Sequence, residues 1–247
     1  MNIGLIIGKK NSVGVPNKNI KKILGRKSCE YAFIAAKYAK LDKIYVSTDS
    51  KIISNVGKKY GAILINRQKK LATPNSLTED VLLNAYYKIK NDCKKNNIKT
   101  ISLIFCNNPA IDVNLLKKAI KIVNKNKFFD SCFSVAKYDM FAPARARKIS
   151  KTGIIMPFDN ASINKKTSSI RNSQGSVYFC DLSIQVMKPT CFENMNKGKL
   201  PFKWQGRKSK AILTDFGFDI DSEWQYAVIE YWLKKRGFTE KKIPWKK

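Results

Sequence analysis

Lys9, Lys10 and Lys18 crowd one short turn with Asn11, Ser12 and Asn19, and Gly8 and Gly14 give that turn its backbone freedom. Backbone amides combined with several ammonium groups suit a polyphosphate. No acidic residue precedes Glu30, so nothing local neutralises the charge. The turn matches neither G-x-x-x-x-G-K-[ST] nor G-x-G-x-x-G. Near the other end, FDIDSE (218–223) carries Asp219 and Asp221. On an extended strand the two would point to the same side, their Cα atoms about 6–7 Å apart. Two carboxylates so spaced suit magnesium, which takes a couple of carboxylates together with water and phosphate oxygens. The chain has 18 acidic residues against 48 basic ones, so an acidic pair flanked by Phe218 and Ile220 stands out. The DFG run at 215–217 lacks the partners of a kinase site. The two stretches together imply metal-dependent chemistry on a nucleoside triphosphate.

Elements able to bring such stretches together can be read from hydrophobic periodicity. Ile3–Ile7, Lys43–Thr48, Ala62–Ile65, Ile101–Cys106 and Ser131–Lys137 read as strands. Between them Cys29–Lys40, Lys51–Tyr60, a stretch from Ser76 to about Lys90, and Val113–Asn124 read as helices. Gly61 suits a helix C-terminus, Ser76-x-x-Glu79 a capping box and Asp112 an N-cap. This alternation predicts an α/β fold on a mainly parallel sheet, with ligands at the carboxyl ends of the strands. The loops at 8–19, 48–50, 66–77 and 107–112 are then where chemistry belongs.

After Phe141 the pattern changes: a hairpin over Arg147–Pro157, a polar loop over Phe158–Ser173 and a strand over Ser176–Leu182. Ile212–Asp221 reads as a last strand, and Ser222–Arg236 as a terminal helix with Trp224, Ala227, Val228, Tyr231 and Trp232 on one stripe. We read residues 1–247 as a single domain, with 141–215 inserted into it.

Composition narrows the chemistry further. The chain has no histidine, which excludes imidazole bases and Ser-His or Cys-His pairs. Its six cysteines form no C-x-x-C, arguing against zinc and for small core residues. The formal charge of +30 invites a nucleic-acid reading, but 41 of the 48 basic residues are lysines spread over nearly every segment. A solvated lysine surface accounts for them better. No run of eighteen apolar residues and no signal-peptide pattern is present, so no membrane partner and a cytoplasmic location are expected.

Five motifs in order along the chain resemble those of the acylneuraminate cytidylyltransferases. They are NSVGVPNKNI (11–20), IYVSTDS (44–50), YGAILINRQKKLAT (60–73), QGSVYF (174–179) and DIDSE (219–223). The resemblance spans almost the whole chain. It implies a three-layer, Rossmann-like nucleotidyltransferase fold with a small dimerisation segment at 141–170, and a homodimer. It also implies magnesium-dependent transfer of CMP from CTP to a sugar acid, in the service of cell-surface polysaccharide synthesis. By resemblance Lys9 and Lys18 grip the triphosphate alongside Asn11 and Ser12, while Asn19, Arg67 and Ser76 contact cytosine and ribose. Asn107, Arg171 and Gln174 fall on the acceptor side, Arg171 facing its carboxylate. Lys18, Asp219 and Asp221 are the catalytic set, the two aspartates holding the metal.

The departures bear on the acceptor. Val13 replaces a family lysine and Pro74 an aspartate, while IFCNNPAI (104–111) replaces L-Q-P-T-S-P-L-R. The acceptor is therefore left open: a relative of sialic acid, such as a legionaminic-, pseudaminic- or octulosonic-type acid, or something further away. Two other readings compete: a nucleotidyltransferase for another sugar or sugar phosphate, and a non-catalytic basic nucleic-acid-binding protein.

Overall fold

The computed structural model describes residues 1–11, 14–94, 98–163, 165–170 and 173–245. Its frame is a seven-stranded sheet. The strands are β1 (Asn2–Ile7), β2 (Lys43–Thr48), β3 (Ile63–Asn66), β4 (Thr100–Phe105), β5 (Ser131–Lys137), β6 (Tyr178–Met187) and β7 (Ser209–Thr214). Their order across the sheet is β7-β5-β6-β4-β1-β2-β3. β6 runs antiparallel to both its neighbours, and the other pairings are parallel. Helices α1 (Ser28–Tyr38), α2 (Lys51–Lys59), α3 (Thr78–Asp92), α4 (Val113–Lys125), α5 (Pro189–Glu193) and α6 (Gln225–Lys235) complete the frame among the described residues.

Alternation along the strands builds two cores. Ile6, Val46, Ile104 and Val186 face α1, α2 and α4, whereas Ile3, Leu5, Tyr45 and Leu103 face α3 and α5. A strand buried on both faces reads as a continuous apolar run, which is why GLII was legible as a strand. The result is a helix–sheet–helix sandwich. Chain order reverses at β1, with β2 on one side and β4 on the other, so a crevice opens beyond their carboxyl ends. The cysteines are free, and all but the half-buried Cys180 lie in the interior. Burial pushes the Cys29 and Cys191 thiols up to about 12, so they stay protonated and inert.

A third apolar cluster joins the sandwich through Tyr31 and Ile34 of α1. Val15 and Ile23 of the lysine turn, Ala110 after β4 and Ile220 between the two aspartates pack there with Tyr226, Ile229 and Trp232 of α6. It ties the first loop of the chain to its last segment.

Four local expectations need correction. β6 does not stop at Leu182; Leu182 takes a φ of 57° at a register shift, and the strand continues to Met187 inside the sheet. The final strand ends at Thr214, seven residues before Asp221, because Thr214 closes a local turn with Phe216 through its hydroxyl. Ser76 is not a helix cap: α3 starts at Thr78 after Leu77, and the Ser76 hydroxyl bonds Thr73 and Lys70 instead. On α6 the buried stripe is Tyr226, Ile229, Trp232 and Leu233, while Trp224 and Tyr231 are exposed.

Candidate active site

Gly8 starts the site where β1 ends. A Cβ there would lie 2.6 Å from the Cys106 sulfur and 2.8 Å from its Cβ, so the two loops approach closely only because residue 8 is glycine. Gly8→Ala is expected to destabilise the fold by roughly 1–3 kcal/mol through overpacking. A lowered urea midpoint with an unchanged slope would check this.

The lysine turn then folds back on the sheet end. The Lys10 amide donates to Asp49 Oδ1 at 2.8 Å, and Asn19 Nδ2 donates to the Lys9 carbonyl at 2.9 Å. The Lys18 carbonyl accepts from the hydroxyls of Ser28 and Tyr226, which fixes the base of that side chain. Arg67, just beyond β3, is buried and donates to the Ser47 carbonyl at 2.7 Å. Burial pulls its pKa down while Asp49 opposes this, and the guanidinium remains a cation.

Between these loops lies a cavity of about 180 Å³ whose lining includes Lys9, Lys18, Asn19, Arg67, Ser76 and Asn107. Six residues singled out from separate parts of the sequence thus share one wall. Asn19 adds an unmet need: its Oδ1 is buried with no hydrogen-bond partner among the described residues.

Asp219 and Asp221 sit on an irregular segment, not a strand, and that segment packs against the lysine turn. Their common side is made by tethers. Asn107 accepts the Ile220 N–H on its carbonyl at 2.8 Å, and its Nδ2 donates to Asp219 Oδ2 at 3.0 Å. Gln225 Oε1 accepts the N–H groups of Asp221 and Ser222, both at 2.6 Å. Lys18 Nζ sits 2.5 Å from Asp221 Oδ1, and Lys21 pairs with Glu223. Gly14 also touches this segment; a Cβ on it would lie 3.2 Å from the Asp221 carbonyl oxygen.

Burial, then the charge of Asp221, raises the Asp219 pKa; Lys18 and the Asn107 hydrogen bond oppose them. Two hard oxygen donors that repel each other in this way suit a divalent cation, whose charge relieves the repulsion. Among the described residues no group of three or more Asp, Glu, Cys or His side chains could hold a metal, so protein ligation would rest on this pair.

Not every expected residue joins the cavity. Asn11 is exposed on the same turn. Gln174 lies elsewhere, accepting from Arg145 Nε at 2.8 Å and donating to the Ser168 carbonyl at 3.0 Å. Ser12 and Arg171 fall outside the described residues. The sequence reading missed Ser47 and Asp49 as supports, although both lie in the STDS run, and missed Thr73 and Thr78 in the lining.

The family described as cytidylyltransferase matches residues 3–151, more than half of the 247. A post-translational flagellin modification protein B of Campylobacter coli is 25% identical over 242 residues, covering 96% of each chain. A CMP-N,N'-diacetyllegionaminic acid synthase of Campylobacter jejuni is likewise 25% identical over 242 residues, with 96% of each chain covered. Among solved structures, a CMP:2-keto-3-deoxy-manno-octonic acid synthetase complexed with CTP is similar in fold. Its TM-score is 0.65 at 11% identity, covering 95% of this chain and 99% of that one.

Proposed function

This chain belongs to the cytidylyltransferase family, and we propose that it transfers CMP from CTP to the anomeric hydroxyl of a sialic-acid-like sugar acid, releasing pyrophosphate. The observation that carries this reading is the meeting of Lys18 and Asp221 beside a cavity lined by Lys9, Asn19 and Arg67. Cations and hydrogen-bonding groups line the cavity, and the carboxylates lie next to it, Asp221 on Lys18 and Asp219 on Asn107. Triphosphate transfer needs both, because charge builds on the phosphoryl oxygens and on the departing pyrophosphate.

In this reading Lys9 and Lys18 hold the triphosphate, and Arg67 with Asn19 orients the nucleoside. Asn19 has a buried acceptor to offer an amino group. Asp219 and Asp221 would hold magnesium, which when bound offsets phosphate charge. The acceptor approaches from the Asn107 side; its hydroxyl gives up its proton to water as its oxygen bonds to the α-phosphorus and the bond to pyrophosphate breaks. A homodimer belongs to the same proposal. A separate hairpin of Arg147–Ile149 and Ile155–Pro157 and its surroundings leave Ile149, Ile155, Phe158 and Ile170 more than 60% exposed, and a second copy would cover them.

The test is a panel of the four nucleoside triphosphates with sugar-acid acceptors, following pyrophosphate release and CMP-sugar formation. CTP alone is expected to support turnover. Equal use of another triphosphate would favour a different nucleotidyltransferase. Salt-dependent nucleic-acid binding without any turnover would replace the enzyme reading altogether.

A further inference from the structure

The lysine turn and the aspartate segment come from opposite ends of the chain, and the first two residues of α6 touch both. Gln225 Oε1 holds the N–H groups of Asp221 and Ser222. Next to it, the Tyr226 hydroxyl donates to the Lys18 carbonyl at 3.1 Å. Both side chains are only 9% exposed, and neither is among the described residues lining the cavity beside Lys18. Their polar atoms meet the backbone of the residues that would act.

Those bonds decide where two charges stand. An aspartate has a single methylene, so its carboxylate goes where its backbone goes. Asp221 lies beyond the end of β7, so the sheet does not serve its N–H, and Gln225 supplies the acceptor. A glutamine buried this far is stable there only while donors reach it, which ties the two groups together. Lysine is longer, and its ammonium is well placed only when the base of the side chain is fixed. Tyr226 of α6 and Ser28 of α1 fix it, both donating to the Lys18 carbonyl. A further link runs alongside: Lys21 pairs with Glu223 and lies 4.4 Å above the Tyr226 ring. The helix is itself seated, because Ile229, Trp232 and Leu233 share the apolar cluster of Val15 and Ile220. Consecutive residues on one anchored helix thus set where the Asp221 carboxylate meets the Lys18 ammonium.

We propose that Gln225 and Tyr226 are positioning residues of this site, Gln225 for the metal-binding carboxylate of Asp221 and Tyr226 for the phosphate-binding ammonium of Lys18. The inference rests on the cytidylyltransferase reading above and adds what holds its opposite charges in register. An outer group that orients a metal ligand is worth about 10–100-fold in metal affinity or activity. A single neutral hydrogen bond is worth about 2–10-fold.

The test uses the full chain, with manganese alone titrated by electron paramagnetic resonance and CTP followed by steady-state kinetics. Gln225→Met keeps the volume and removes the acceptor, and is expected to weaken manganese binding about 10–100-fold. Gln225→Glu keeps an oxygen acceptor and should bind manganese at least as tightly as the unaltered chain. If the methionine variant fails to fold, Gln225→Asn, which withdraws the same amide by one methylene, should show the loss. Tyr226→Phe keeps the ring in its cluster and should raise KM for CTP about 2–10-fold while manganese affinity holds. Undiminished manganese binding by the methionine or asparagine variant, or a glutamate variant as weak as the methionine one, overturns the role of Gln225. An unmoved KM, or a manganese affinity that falls with it, overturns that of Tyr226. Failure of the unaltered chain to turn over CTP would sink the cytidylyltransferase reading and the Tyr226 assignment, while the manganese series still decides for or against Gln225. An unaltered chain that binds no manganese overturns the Gln225 assignment and the metal site together.

Discussion

Asp221→Asn is expected to lower CMP-sugar formation by about 10²–10³-fold while the protein stays folded, the loss seen when one group that stabilises transition-state charge is removed. The side chain is 62% exposed and that of Lys18 only 14%, so the pair is half-buried; an amide oxygen can still accept from Lys18, and stability should fall by about 1–2 kcal/mol. The backbone there is held independently, through Gln225 and through Ile220 in its apolar cluster. An amide keeps the shape but loses the negative charge, one of only two that the site offers a divalent cation. The substitution therefore separates chemistry from folding. Steady-state turnover across a magnesium series, with a thermal melt of the same preparation, would check it. Near-normal turnover would remove the carboxylate pair from the reaction.

The inner strands β1, β2, β4 and β5 were legible because they are apolar runs buried on both faces, and α2 and α4 because they carry clear apolar stripes. The contents of the cavity were legible too, since Lys9, Lys18, Asn19 and Arg67 sit in loops that any parallel sheet of this order brings to one end. What periodicity could not reveal was how the first loop meets the last segment. That juxtaposition depends on Val15, Ile23, Ala110 and Ile220 sharing a cluster with α6, and these residues carry no common spacing along the chain.

The aspartates show the same limit from another side. Asp-x-Asp suggested an extended strand, yet β7 ends at Thr214 and the acids ride on an irregular stretch shaped by side-chain tethers. Long-range bonds such as Asn107 to Asp219 span 112 residues and leave no local trace. Leu182 is similar: nothing in YFCDLSIQVM announces a positive φ, and the strand resumes only because Asp181 and Ser183 satisfy each other across the irregularity. Gln174 differs again. It was singled out by a resemblance, and in this chain its amide is committed to Arg145 and Ser168.

Asn107→Ala should produce the second large effect, a turnover loss of about 10–100-fold, the range found when a group that orients a metal-binding side chain is removed. Asn107 came out of the sequence as an acceptor contact; its geometry gives it a second task, holding Asp219. The two tasks predict different data. Nδ2 donates to the carboxylate, which favours the charged form, so its loss moves the Asp219 pKa further in the direction that burial and Asp221 already push it, upward. Activity that needs Asp219 ionised is lost as pH falls through that pKa, so the acid limb of the rate profile should begin at higher pH in the variant. The Ile220 tether runs to the Asn107 backbone and survives the change, so the segment should stay in place. A pH profile of kcat/KM, taken with calorimetric CTP binding, discriminates between the tasks. An acid limb displaced upward, with CTP affinity retained, marks Asn107 as the group that positions Asp219. An unmoved limb with a raised KM for the sugar acid alone would return Asn107 to the acceptor and leave Asp219 to be held by its backbone.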